Sequence, residues 1–182
     1  MQPPRETDIL DACRQGDRAA FNLLVRKYQD RVFQVVHRMV ADQDDARDIA
    51  QEVFIKAYEK VAEFRGDAQV FTWLYRIAVN LSLNHIRKGR LRTFFSMSDD
   101  HHQIQDTSPS PSVSFEQEEL RRLVRDGVDH LPEKQKAVFI LRYYEELSYD
   151  EIATILKTSV GGLKANYHHA TKKIEEYVKT RM

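Results

Sequence analysis

The chain has 182 residues, with 28 Lys and Arg against 28 Asp and Glu, so no global positive charge attracts nucleic acid. Its single cysteine, Cys13, excludes an internal disulfide and a zinc site built on cysteines. The first residues lack a signal-peptide pattern, and no apolar run approaches the roughly 18 residues of a membrane span, so we expect a cytoplasmic protein.

Charge is distributed unevenly along the chain. Residues 42–63 hold seven acids against three bases, and residues 93–119 hold six acids with no Lys or Arg. Residues 64–92 hold six bases and one acid, and residues 157–182 hold six bases and two acids. Two basic segments among acidic ones suggest nucleic acid at two places and a protein partner elsewhere.

Helical periodicity dominates the first forty residues. Residues 7–14 predict a short helix that ends before Gly16, and Asp17 predicts the N-cap of a longer one. The apolar spacing predicts the buried side of that longer helix: Phe21, Leu24, Val25, Tyr28, Val32, Val35, Val36 and Met39. The polar turn 41–45 supplies the N-cap for the next helix.

The helix predicted over 45–64 has two different faces. Its inward positions are apolar: Ala46, Ile49, Ala50, Val53, Phe54, Ala57 and Val61. The opposite arc carries acids, with one apolar residue at its edge: Asp45, Asp48, Glu52, Glu59, Glu63 and Ile55. A charged stripe is often only a solvated face, but five acids beside an isoleucine also suit docking onto a basic protein surface.

A fourth helix, predicted over 72–88, has an unusual polar stripe. At about 100° per residue, an indole, two amides and two guanidiniums share one arc: Trp73, Asn80, Asn84, Arg76 and Arg87. Such side chains stack on bases, bind base edges and hold phosphates. The alternative is that Trp73 covers the core and the asparagines are ordinary surface.

Residues 93–115 are polar, acidic and rich in Ser and Pro, which predicts an extended linker. His101 and His102 lie within it, but adjacent histidines point apart and no cysteine accompanies them. We therefore expect no metal site and no cofactor.

Helical pattern resumes at residue 116 and extends to 129. Pro132 suits the first turn of a helix over 133–146, and Ser148 with Glu151 predicts a capping box. A short helix follows it, then a tight turn at 157–159. The last helix, predicted over 160–178, exposes Lys164, Asn166, His169 and Lys172, which gives a helix-turn-helix layout with a basic second helix.

Two blocks of sequence carry a family resemblance. DARDIAQEVFIKAYEKVAEFRGDAQVFTWLYRIAVNLSLNHIRK resembles region 2 of a bacterial sigma factor of the extracytoplasmic-function (ECF) group, and LPEKQKAVFILRYYEELSYDEIATILKTSVGGLKANYHHATKKIEE resembles its region 4. The resemblance implies an all-α protein with two small helical domains. These are a region 2 domain at 1–92 and a region 4 domain at 116–182, joined by a flexible linker at 93–115.

The same resemblance implies three sets of site residues. Binding to the clamp helices of the core polymerase β′ subunit falls to Asp45, Asp48, Gln51, Glu52, Ile55 and Glu59. Melting and reading of the promoter minus-ten element falls to Phe64, Arg65, Gly66, Asp67, Trp73, Arg76, Asn80, Asn84, Arg87 and Lys88. Reading of the minus-thirty-five element falls to Ser159, Gly161, Gly162, Lys164, Asn166, His169, Lys172 and Lys173.

The recognition helix departs from the family pattern. Members often carry Thr, Arg and Arg where this chain has Gly162, Asn166 and His169, so the domain's role carries over but its base contacts do not. The implied partners are core RNA polymerase (β′ and β subunits), promoter DNA and an anti-sigma factor, with no small-molecule substrate.

Two other classes of protein are weighed against this one. A helix-turn-helix regulator that binds duplex DNA without polymerase would leave Trp73, Asn80 and Asn84 without a role. An enzyme would need a phosphate loop, a metal site or a nucleophile with its base. His37, His85 and the pair His168 and His169 each lack a partner at a diagnostic interval, so we expect no catalytic residues.

Overall fold

The structure, a computed structural model, describes residues 5–64, 66, 68–96 and 115–182; for 92–96, 115 and 116 it describes the backbone alone. Within these residues the chain is all α-helical, as predicted, with no strand. The helices are α1 (Glu6–Arg14), α2 (Arg18–Val40), α3 (Gln43–Lys60), α4 (Val70–Ser96), α5 (Phe115–Asp129), α6 (Glu133–Phe139), α7 (Tyr149–Leu156) and α8 (Val160–Lys179). Two compact units divide the chain, Met1–Ile86 and Arg87–Met182.

Side-chain caps fix where two helices of the first unit, α2 and α3, begin. Asp17 accepts hydrogen bonds from the amides of Ala19 and Ala20 and starts α2, and Asp42 starts α3 in the same way. The core of the unit is apolar and nearly closed to solvent, and it includes Leu24, Val32, Val35, Val36, Met39, Ala46, Val53, Ala57, Leu74, Tyr75 and Ala78.

α1 packs across α2 through both its apolar and its polar residues. Leu10 and Cys13 are buried. The Glu6 carboxylate accepts hydrogen bonds from Lys27 and from the hydroxyl of Tyr28. These bonds outweigh burial, which alone would favour the protonated acid, and lower the pKa of Glu6. Burial and the same carboxylate raise the pKa of Tyr28.

α3 and α4 differ in extent from the sequence prediction. α3 ends at Lys60, and the 3-10 turn Val61–Glu63 follows it. α4 continues past residue 88 to Ser96. Three of its eight added residues, Arg90, Leu91 and Arg92, are good helix formers, and a single Gly89 does not end the helix because an interior glycine costs only about 1 kcal/mol. The remaining linker residues, 97–114, with His101 and His102, lie outside the described residues.

In the second unit α8 packs against α5, α6 and α7, with Leu163, Ala170 and Ile174 buried. Gly127 of α5 allows a close approach. A Cβ built there would lie 3.4 Å from the Tyr177 ring and 3.5 Å from the Ile174 side chain. A Cβ there makes ordinary van der Waals contact, so a side chain larger than that of alanine would push α5 away from α8.

The helix predicted over 133–146 is interrupted. α6 gives way to a π-helical turn, Ile140–Tyr144, and Glu146 takes a positive φ of 55°. The Leu147 amide donates to the carbonyl of Leu141 at 3.1 Å, which buries the Leu147 side chain. The predicted capping box of Ser148 and Glu151 is present and starts α7.

Candidate protein and nucleic-acid interfaces

The α3 acidic face comprises Asp45, Asp48, Gln51, Glu52, Ile55 and Glu59. Asp48, Glu52 and Glu59 are exposed, as the helical spacing predicted, and Gln51 is exposed too. Ile55 is 52% exposed, which is unusual for an isoleucine on a helix with an apolar side to bury. Of these acids, Glu52 has a distant ion pair with Lys56 at 3.5 Å.

Asp45 differs from the other acids of this face. It is half-buried, and its Oδ2 lies 3.0 Å from Nε2 of His85 on α4. Asp45 therefore joins α3 to α4, and less of its carboxylate faces solvent.

An open groove lies beside the α3 acidic face, between α2 and α3. Its volume is about 710 Å³, and its lining is largely apolar, including Phe21, Val25, Phe33, Phe54 and Tyr58. Gln51, Ile55 and Glu59 line it too, so the acidic face continues into the groove. The groove also explains why Val25 and Phe54, expected inside, are only half-buried. Periodicity missed Phe33, although its aromatic ring on an otherwise polar side of α2 was a signal.

The α4 face comprises Trp73, Arg76, Asn80, Asn84 and Arg87. Asn80, Asn84 and Arg87 are exposed, with Lys88 beside them, while Trp73 and Arg76 are half-buried. The opposite side of α4 is buried through Leu74, Tyr75, Ala78, Val79 and Ser82. The two amides stand one helical turn apart on a rigid, well-packed helix, where they can contact an unpaired base.

Trp73 is placed both to cover the core and to offer part of its ring for stacking on a base. Its ring stacks on that of Phe64 with 4.8 Å between centroids and 30° between planes. Phe64 is only 8% exposed. Its ring therefore packs against Trp73 and is mostly closed to a ligand. Gly66 is exposed, with a φ of 81° that a side chain would disfavour. Arg65 and Asp67 lie outside the described residues.

The α8 face comprises Ser159, Gly161, Gly162, Lys164, Asn166, His169, Lys172 and Lys173. Ser159 caps α8 by accepting from the Gly162 amide at 3.3 Å. Lys164, His169, Lys172 and Lys173 are exposed. Asn166 is half-buried, and its Nδ2 donates to the Gly162 carbonyl at 2.9 Å, so one of its amide donors is already used within the helix.

Aromatic rings that the sequence did not single out surround the start of α8. Phe139 stacks on Tyr143 and Tyr167, with centroid distances of 5.0 and 5.9 Å. Tyr149 lies under two cations, the Arg142 guanidinium at 5.1 Å and the Lys164 ammonium at 5.8 Å. Burial raises the pKa of Tyr167. Lys164 is thereby held above a ring, with its charge still at the surface.

Within the described part of the chain, no group of His, Cys, Asp and Glu is arranged to hold a metal ion. None of the helices described has the length and apolar character needed to cross a bilayer.

Comparison with known families gives two matches. The model described as "Sigma-70 region 2" matches residues 24–92, and the one described as "Sigma-70, region 4" matches residues 121–174.

Comparison with curated proteins gives matches along nearly the whole chain. The RNA polymerase sigma-H factor of Pseudomonas aeruginosa is 34% identical over 180 residues, covering 94% of this chain and 93% of that protein. The ECF RNA polymerase sigma-E factor of Haemophilus influenzae is 36% identical over 182 residues, covering 96% and 95%. The Escherichia coli protein of that name is 35% identical over 178 residues, covering 93% and 92%.

Two solved structures share the fold. CnrH, in complex with the cytosolic domain of CnrY, has a TM-score of 0.71 at 20% identity, covering 96% of this chain and 97% of that one. The sigma factor RpoE of Bartonella quintana, in complex with the anti-sigma factor NepR, has a TM-score of 0.73 at 19% identity, covering 87% and 96%.

Proposed function

The chain belongs to the ECF group of sigma-70 factors, and from this premise we propose how its surfaces divide the work of transcription initiation. As a sigma factor it binds core RNA polymerase and directs initiation at promoters. The regulator that acts without polymerase is not favoured, because the relatives that match along nearly the whole chain are sigma factors.

In our proposal the α4 face opens and holds the minus-ten element. The observation that carries it is the pair of exposed amides, Asn80 and Asn84, on a helix whose opposite side is buried. The same helix holds the half-buried Trp73. Unpaired bases offer flat rings for stacking and polar edges for amides. Base flipping costs a few kcal/mol, which such contacts can offset.

The α3 acidic face is our candidate for the core polymerase contact, and the α8 face for the minus-thirty-five contact. Exposed acids around Ile55 suit a basic protein surface with an apolar centre. Exposed lysines on a capped helix suit the phosphates that flank a major groove.

The division into domains at 1–92 and 116–182, with a linker at 93–115, is part of the same proposal. The two family matches, at residues 24–92 and 121–174, support it, whereas the boundary between the two compact units, at residues 86 and 87, lies earlier, within α4. We further propose that the chain has no catalytic activity of its own and works in the cytoplasm, where it meets polymerase. An anti-sigma factor is the proposed inhibitory partner, since a structure of this fold is a complex with one.

The α4 proposal is tested by open-complex formation with purified core polymerase. Asn80→Ala and Asn84→Ala should each reduce opening of a duplex promoter by about 1–3 kcal/mol, with core affinity unchanged. A template premelted across the minus-ten element should not rescue them, because base capture is still needed. Trp73→Ala should be partly rescued there, because part of its role is in opening.

A matched control is Gln34→Ala, which removes an exposed amide from α2. It should behave as wild type on both templates. Wild-type opening by all three α4 variants would show that the face is ordinary helix surface.

A further inference from the structure

Arg14, the last residue of α1, reaches a residue 50 positions away in sequence. Its Nε donates to the Phe64 carbonyl at 3.0 Å, and its Nη2 donates to the same oxygen at 2.5 Å. Its guanidinium carbon also lies 5.9 Å from the centroid of the Phe64 ring. The planar guanidinium therefore holds both the backbone and the ring of Phe64.

The guanidinium is itself held in place. Its Nη1 donates to the Asp11 carboxylate at 2.7 Å, one turn earlier on α1. Nη2 lies 3.6 Å from the position that a Cβ would take on Gly66. Arg14 is therefore oriented by its own helix and stands beside both Phe64 and Gly66.

Because Arg14 holds Phe64, it also restricts the position of Trp73. The two rings stack, and Phe64 is nearly closed to solvent. The position of the Trp73 ring thus depends on where the Phe64 backbone is held. Arg14 holds that backbone oxygen through two of its nitrogens, Nε and Nη2.

We propose that Arg14 is a positioning residue for promoter opening: it fixes Phe64, and through Phe64 it sets the orientation in which Trp73 meets the DNA. This inference rests on the proposed role of the α4 face. Arg14 does not contact the bases; it reduces the ordering that Trp73 must undergo when the duplex opens.

Trp73 is the only tryptophan of the chain, so its fluorescence reports this contact without DNA or polymerase. In the free full-length protein, Arg14→Ala should shift the emission and increase quenching by acrylamide. In the holoenzyme it should reduce opening of a duplex promoter about tenfold, the effect of losing hydrogen bonds to a charged group. A premelted template should restore most of that loss, and core affinity should stay at the wild-type value.

Two further variants separate positioning from general docking of α1. Glu6→Gln loosens the other end of α1, where Glu6 binds Lys27 and Tyr28, and leaves Phe64 untouched. It should change neither Trp73 quenching nor opening. Arg14→Lys keeps the charge but loses the planar fork, so it should recover opening only in part, to within about threefold of wild type.

Unchanged Trp73 quenching in Arg14→Ala would overturn the proposal, as would an equal opening defect in Glu6→Gln. If Arg14→Ala alters quenching but Trp73→Ala opens promoters normally, the role of the α4 face fails, and the role of Arg14 in opening falls with it. If Trp73→Ala is defective and Arg14→Ala opens normally, only the Arg14 proposal fails.

Discussion

Lys136 Nζ lies 2.8 Å from Oδ1 of Asp129, in a pair whose lysine side chain is 8% exposed and whose aspartate is 39% exposed. The pair connects the middle of α6 to the last residue of α5 within the second unit. A lysine charge taken this far from water needs its partner, whereas a half-exposed carboxylate can be hydrated without one.

This asymmetry predicts unequal effects of the two substitutions. Asp129→Asn should destabilise the second unit by about 1–3 kcal/mol, because a buried ammonium loses its counter-charge. Lys136→Met should change its stability by less than about 1 kcal/mol, because an apolar chain of similar length replaces the lysine. Hydrogen exchange at the buried amides of α8, in the full chain, measures both changes. Equal losses would contradict the asymmetry.

The α3 acidic face should decide assembly with core polymerase. Asp48→Arg combined with Glu52→Arg should weaken core binding by about 2 kcal/mol or more, because complementary contacts become like-charge contacts. Binding of labelled protein to core polymerase gives the Kd. Glu175→Arg with Glu176→Arg makes the same charge change at exposed positions of α8 and should leave the Kd near wild type. Unchanged affinity in a folded Asp48 and Glu52 variant would remove this face from the interface.

Substitutions on the α8 face should affect duplex DNA binding in two ways, by lowering affinity or by relaxing base preference. Lys164→Ala should weaken binding nearly equally across DNA sequences. It should also reduce the slope of the logarithm of the binding constant against the logarithm of salt concentration by about 1, as expected for one phosphate contact. Asn166→Ala should relax preference at one or two base pairs by about 1 kcal/mol, at the low end for a base contact, because its amide must first leave the Gly162 carbonyl. Lys179→Ala, at the far end of α8, is the control. A flat response to both changes would place the recognition surface elsewhere.

Docking of α1 should weaken in acid. The pKa of Glu6 in the folded chain lies below its ordinary value of 4.5, so the carboxylate contributes stability above that pH and loses it as the pH falls through the lowered pKa. The stability difference between wild type and Glu6→Gln should therefore be constant near neutral pH and shrink below 4.5. Thermal melts followed by Trp73 fluorescence measure it. Asp8→Asn, in an exposed pair with Arg5, should change stability by less than about 0.5 kcal/mol at any of these pH values. A difference that grows in acid would contradict the assignment.

Local signals in the sequence predicted much of this fold. Asp17 and the pair of Ser148 and Glu151 start their helices as predicted, because a cap depends only on a side chain and the next three amides. Periodicity likewise separated the exposed Asn80 and Asn84 from the buried side of α4, because helical geometry fixes which residues share a face.

Other features depend on contacts between distant residues and could not be predicted. The bond from Arg14 to Phe64 requires α1 to pack against the 3-10 turn Val61–Glu63, and no local pattern encodes that approach. The π-helical turn at Ile140–Tyr144 is followed by a buried Leu147, whose amide donates to the Leu141 carbonyl, and periodicity within one helix does not indicate such an interruption. The Asn166 amide bond was missed for another reason: asparagine on a helix can donate to its own backbone, which competes with reading a base.

The close approach of α5 to α8 at Gly127 links the interior of the second unit to the exposed side of α8. Near its C-terminal end, α8 packs against α5 at Ile174. Lys164 lies ten residues earlier on the same helix, about 15 Å from Ile174 at 1.5 Å per residue. Leu163, beside Lys164, is buried as well, so a shift of α8 at Ile174 must also move packed residues at the start of the helix, and Lys164 moves with them. The volume of a side chain inside the domain can therefore change where α8 presents Lys164, the residue that we propose contacts a DNA phosphate, although that side chain is itself buried.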